Sequence, residues 1–148
     1  MAFHFSLQPL LRLRKSYERL ARQRLEVITH QLAQLQEQSA ALRKAQAAAA
    51  ETLAARMENG LTGAELQFAV DCSLVREKRQ VALTEQMAAV AQQRQSQMVA
   101  FRRAQQNRQI VENLRNRQLE TYELIQARRD QQQLDDLFLL RLQSKQSG

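Results

Sequence analysis

The chain has 148 residues, of which 44% are hydrophobic but only 5% aromatic, with no tryptophan. This excludes a thick aromatic core and fits long helices that bury a narrow seam, since alanine, glutamine, leucine and arginine are all good helix formers. The one cysteine excludes an internal disulfide, the net charge of +7 favours acidic partners, and no apolar run nears the roughly 18 residues of a membrane span.

The opening Met1-Ala2-Phe3-His4-Phe5 lacks a charged stretch followed by a long apolar one, so it does not read as a signal peptide. With a lone Cys72, the expected compartment is the cytoplasm. Helix one is expected over about residues 7–58, capped by Ser6 or Gln8, with Pro9 tolerated in the first turn. Leu10, Leu13, Tyr17 and Leu20 are spaced 3, 4 and 3, which predicts a heptad seam. Ile28, Leu32, Leu35, Ser39 and Leu42 resume the pattern, and joining the halves through Arg24 calls for a stutter. Ala45 to Ala50 reads as a thin part of the seam or as plain helix filler.

The chain reverses at residues 59–63. Two of its three glycines, Gly60 and Gly63, sit there, while the long stretches on either side lack glycine and proline. Asn59-Gly60 suits a helix C-terminus, where a residue with φ > 0 closes the last carbonyls. Thr62 and Glu65 match a capping box, flanked by Leu61 and Leu66 as a hydrophobic staple. Helix two is expected over about residues 64–142, followed by a disordered tail over 143–148. Its apolar residues run Phe68, Cys72, Val75, then Val81, Met87, Met98 and Phe101, then Val111, Leu114, Ile125, Leu134, Leu137 and Phe138.

The predicted fold is all-α: two long helices in an antiparallel coiled-coil hairpin, a single domain over 1–148. Helices of roughly 75 Å and roughly 118 Å follow from the rise per residue. The second therefore overhangs the first by roughly 40 Å. Neither is stable alone in water, so the two must pair.

Residues 1–24 carry six basic and one acidic side chain, residues 25–101 seven and eight, and residues 102–148 nine and six. The hairpin's free end is accordingly basic. No phosphate-cradling glycine loop occurs, and His4 and His30 are too far apart to pair as ligands. Asp135 and Asp136 are adjacent and face different ways on a helix. No enzyme, cofactor or metal site is expected. Nucleic acid is not the expected partner either, because acidic residues are interleaved with the basic pairs Arg102-Arg103 and Arg128-Arg129 and no recognition module is present. Residues 3–25 also suit a membrane-surface helix, but a pairing seam accounts for most of their leucines.

The ends carry a family resemblance. Phe3, Phe5, Leu7, Gln8, Pro9, Leu10, Leu11, Leu13 and Arg14, with Glu18, Ala21 and Leu25, resemble the opening of the flagellar FliJ family. Leu114, Arg115, Arg117, Gln118 and Tyr122 agree with its far end. So do Arg129, Gln131, Leu134 and Asp135, whereas Asp130, Gln132 and Asp136 depart from its closing signature.

The resemblance implies a non-enzymatic stalk of the flagellar type III export apparatus, peripheral to the inner face of the cell membrane at the flagellar base. Its implied partners are the export ATPase hexamer, the cytosolic domain of the large export-gate membrane protein, and export chaperones. Leu10, Leu11, Leu13, Arg14, Arg129, Gln131 and Asp135 are the expected contacts to the ATPase ring. The family's gate-binding spacing falls on Phe68, Cys72, Val75 and Arg79, which read equally as seam residues. An equivalent stalk of an injectisome secretion system is the alternative, as is a basic coiled-coil tether for nucleic acid or anionic membrane.

Overall fold

The structure is a computed structural model and describes residues 2–147. Helix α1 spans Gln8–Asn59 and helix α2 spans Gly63–Ser147, with 52 and 85 residues. The described residues hold no strand, and the two helices pack against each other as an all-α hairpin. Residues 143–147, expected as a disordered tail, continue α2. Glutamine, serine and lysine are all admissible in a helix, and no breaker stands among them; Gly148 lies outside the described residues.

The chain's contacts fall into two units. One comprises Arg19–Arg102, the other Met1–Glu18 with Arg103–Gly148.

The Arg19–Arg102 unit contains the reversal. Gly60 has φ +95°, the left-handed conformation that closes α1. Thr62 Oγ1 accepts a hydrogen bond from the Glu65 N–H at 3.2 Å, and Thr62 O accepts one from the Leu66 N–H at 3.1 Å. The first of these is the capping bond that the Thr62–Glu65 spacing predicts.

On the α1 side of this unit the covered residues are Ala21, Leu25, Ile28, Leu32, Leu35, Ser39, Leu42, Gln46, Ala49 and Leu53. They recur at alternating steps of 4 and 3, the heptad seam of a two-helix pair. Across from them α2 supplies Ala69, Ser73, Arg76, Gln80, Leu83, Met87 and Val90, and later Gln97 and Phe101. Much of this seam is polar and bonded across the pair. Gln46 donates to Ser73 Oγ at 2.7 Å and accepts from Arg76 Nε at 2.5 Å. Gln80 donates to the buried Ser39 Oγ at 2.7 Å, and Gln97 donates to the Ala21 carbonyl at 3.2 Å. Such pairs fix the register of a coiled coil while adding less stability than leucine would. The Arg22 guanidinium lies 5.7 Å from the centre of the Phe101 ring.

The other unit begins with a backbone-closed turn. The Gln8 N–H donates to Phe5 O at 3.1 Å and the Leu11 N–H to Leu7 O at 3.0 Å, in place of the side-chain cap expected from Ser6 or Gln8. Phe5, Leu11 and Val111 form its core, with Phe3 and Leu10 packed on it. Phe3 meets Tyr122 with ring centroids 5.5 Å apart.

The seam in this unit corrects the predicted frame. Leu11 is 1% exposed, Leu13 46%, and Tyr17 and Leu20 are likewise exposed. The covered residues of α1 are Leu11, Arg14 and Glu18, at steps of 3 and 4. That row runs along α1 into Ala21 and Leu25 without any change of period, so no stutter occurs. The frame through Leu10 and Leu13 holds larger apolar groups, but it can join the downstream leucines only by breaking the heptad. The observed frame keeps the heptad by placing a carboxylate, Glu18, in the seam, and Arg108 meets it there. On α2, Met87, Met98, Phe101 and Val111 face inward as the stripe requires, whereas Val81, Leu114 and Ile125 are exposed.

Candidate interaction surfaces

Helices that bury only a seam leave their flanks to solvent, and the apolar residues stranded there are the informative ones. In the Arg19–Arg102 unit, α2 presents Phe68, 71% exposed, and Val75, 65% exposed. These two are not seam residues; the seam at that level is Ala69, Ser73 and Arg76. Cys72 is half-buried between flank and seam, and Arg79 is exposed. Residues four and three apart on a helix share a face, so Phe68, Cys72, Val75 and Arg79 form one strip. Phe68, Cys72 and Val75 line a shallow apolar pocket with Asp71 and Arg76. A groove beside it is lined by Ala49, Leu53, Leu61, Phe68, Ala69 and Cys72 among others. Phe68 stands uncovered because the register turns Ala69 toward α1 and leaves Phe68 on the flank, outside the row that α1 covers.

The residues expected to contact a ring ATPase do not form one surface. Leu11 is enclosed in the core with Phe5 and Val111 and has nothing left to offer a partner. Leu10 is half-buried against the same cluster, and Leu13 is exposed. Arg14 occupies a seam position, with its Nε buried and unbonded. Arg129, Gln131 and Asp135 lie much farther along α2, past Tyr122, and are exposed. There Gln131 donates to Asp135 Oδ1 at 3.1 Å within the same helix.

Sequence spacing missed two features of this unit. The first is the ion group at the seam. Arg108 Nε donates to Glu18 at 2.5 Å, and its Nη1 donates to Glu112. The arginine pKa is raised above its ordinary value, chiefly by the hydrogen bond to Glu18, with burial opposing and Glu112 adding to it. A raised folded-state value means that this stabilisation is fully present below the ordinary arginine pKa. It is lost only as pH rises through the raised value.

The second feature is the end of α2. From Ala127 to Ser147 every residue is exposed, a stretch of roughly 32 Å at helical rise. Within it Leu134, Leu137, Phe138, Leu139, Leu140 and Leu142 are all uncovered. At 100° per residue, Leu134, Phe138 and Leu142 fall on one side, and Leu137, Leu139 and Leu140 spread around the rest. A helix that is apolar all round is normally enclosed rather than laid against one neighbour. The run Leu137-Phe138-Leu139-Leu140 carries this in the sequence, but a search for a one-sided stripe passes over it.

Among the described residues, no helix is long and apolar enough to cross a membrane, and no group of three or more His, Cys, Asp or Glu could hold a metal ion.

Two long helices joined by three residues, with polar pairs in the seam and apolar residues on the flanks, define a helical-hairpin protein whose chemistry lies on its surfaces. Residues 3–147 match the family described as Flagellar FliJ protein. The chain belongs to that family, which makes it a component related to flagellar protein export. Comparison with curated proteins and with solved structures gave no match.

Proposed function

We propose that this protein is the stalk of the flagellar export ATPase: the uncovered end of α2 enters the ATPase ring and biases its subunits. The observation that carries this reading is the distribution of Leu134, Leu137, Phe138, Leu139, Leu140 and Leu142 around the whole circumference of that end. A second helix would cover only one side of it, and a membrane surface likewise. A ring that surrounds the helix would take the whole circumference out of water. An asymmetric shaft in a six-fold ring touches the subunits unequally, and unequal contact shifts their conformational populations. Leu10, Leu13, Arg14, Arg129, Gln131 and Asp135 would contribute at the rim and shaft, with Leu11 holding the shaft together from inside.

The strip Phe68, Cys72, Val75 and Arg79 would serve the other end of the coupling, as the contact to the cytosolic domain of the export gate. Phe68 and Val75 give it apolar groups outside the seam, with Cys72 at its edge and Arg79 closing it with a charge. Export chaperones are further partners in this reading, and the place of action would be the inner face of the cell membrane at the flagellar base.

Mixing the protein with its cognate export ATPase tests the ring contact. ATP hydrolysis and hexamer formation should both rise, and a Leu137→Ser/Leu140→Ser variant of unchanged helicity should raise them much less. An active ATPase that ignores the wild-type protein would refute the stalk reading.

A further inference from the structure

Arg108 and Arg115 are seven residues apart on α2, two turns, and so share a face. Both are half-buried in the unit that contains the start of α1. Arg108 meets two carboxylates, Glu18 and Glu112. Arg115 meets none among the described residues, although it too is half-buried. It lines a pocket with His4, Ser6, Gln8 and Arg12, beside the rings of Phe3 and Phe5. The pocket thus holds two guanidiniums and an imidazole without a carboxylate. The acidic side chains that could have served, Glu18 and Glu112, are engaged by Arg108.

A charge partly removed from water without a counter-ion is unfavourable, and the imbalance is relieved when an anion arrives. The planar fork of a single guanidinium matches a carboxylate in bidentate geometry, and a second cation beside it adds to the attraction. Arg12 is exposed, so the pocket is reached from solvent. The half-buried Phe3 ring beside the cations favours a carboxylate carried on an apolar-flanked peptide over a free inorganic anion, which has no use for it.

We propose that this pocket binds a glutamate or aspartate side chain of an acidic protein segment through Arg12 and Arg115. If the free end of the hairpin sits inside a partner ring, as proposed above, that segment belongs to the ring; this part of the assignment rests on the stalk reading, whereas the pocket's chemistry does not.

The full chain, ¹⁵N-labelled at arginine, is titrated with an acidic peptide in which leucines flank the glutamates while side-chain Nε–H signals are followed by NMR, with inorganic phosphate in a parallel titration. Saturable shifts are expected at Arg12 and Arg115. Arg12→Gln/Arg115→Gln should weaken peptide binding by about tenfold, whereas Arg117→Gln/Arg128→Gln, an equal charge loss at exposed positions, should change it by less than about twofold. Equal weakening by both pairs would reduce the effect to net charge and overturn the assignment, as would shifts that never saturate. Phosphate that saturates the site and resists displacement by the peptide would make it a free-anion site and also overturn it.

Should the double glutamine variant lose helicity, Arg115→Lys takes its place. It keeps the charge but removes the planar fork, so peptide binding should fall severalfold, and unchanged binding counts against the site. Binding to the export ATPase is measured alongside. Ring binding without peptide binding removes only this inference, and peptide binding without ring binding removes only the stalk reading.

Discussion

Leu11 and Leu13 are two residues apart on α1, and the seam register makes opposite predictions for them. Leu11 is 1% exposed and Leu13 is 46% exposed. Truncating a leucine to alanine removes three carbons, and each fully buried methylene is worth about 0.8 kcal/mol, so Leu11→Ala forfeits about 2.4 kcal/mol by transfer alone. A cavity adds to this unless the neighbours collapse, and Phe5 and Val111 bound the site on sides that leave only partial room to relax. The expected destabilisation is about 2.5–3.5 kcal/mol, toward the lower part of the measured range for leucine truncations. Leu13→Ala loses roughly half the transfer value, about 1 kcal/mol, and leaves no enclosed void. Urea unfolding followed by far-ultraviolet circular dichroism resolves a difference of that size in midpoint. If Leu13→Ala proves as damaging as Leu11→Ala, the frame through Leu10, Leu13 and Tyr17 is the seam after all, and the uninterrupted heptad is wrong.

Further predictions concern the turn, the seam and the flank. Gly63 begins α2 with open space where a Cβ would stand, so Gly63→Ala should stabilise by about 0.4–1 kcal/mol, while Gly60→Ala, at φ +95°, should destabilise by about 1 kcal/mol or more. Opposite shifts in thermal midpoint would be read, and two shifts of the same sign would contradict the turn geometry. Glu18→Ala strands Arg108 on its remaining partner Glu112, and a loss of about 2 kcal/mol is expected. The double change Glu18→Leu/Arg108→Met should recover most of that loss, which a double-mutant cycle measures. Gln80 keeps a buried Oε1 without a partner while its amide bonds Ser39. Replacing both, Ser39→Ala/Gln80→Leu, should be neutral or stabilising, and a clear loss would mean that the pair contributes more than register. Phe68→Ser/Val75→Ser should leave the unfolding midpoint within about 0.5 kcal/mol of wild type, because both side chains are exposed, and on the proposed gate contact should abolish binding to the gate's cytosolic domain. A large loss of stability instead would make them seam residues.

What the sequence by itself determined was the hairpin and its reversal. Two glycines beside a Thr62–Glu65 cap, between stretches free of breakers, are local chemistry, and local chemistry is complete in the string of residues. The overhang follows from the same counting, since the lengths on either side of the turn are unequal. The terminal motifs likewise placed the chain in its family.

The tertiary structure decided which of two neighbouring rows on α1 meets α2. Composition favoured the row with more leucine and tyrosine, through Leu13 and Tyr17. The row through Arg14 and Glu18 prevails because it stays in phase with Leu25, Ile28 and Leu32. Its buried carboxylate is satisfied by Arg108, a residue 90 positions distant. No window of local sequence contains both partners, so the pairing that makes Glu18 acceptable in the seam cannot be read from either end alone. The same reason hid the exposure of Phe68. A phenylalanine at heptad spacing looks like core until the partner helix fixes the register, which here puts Ala69 in the seam and Phe68 on the flank.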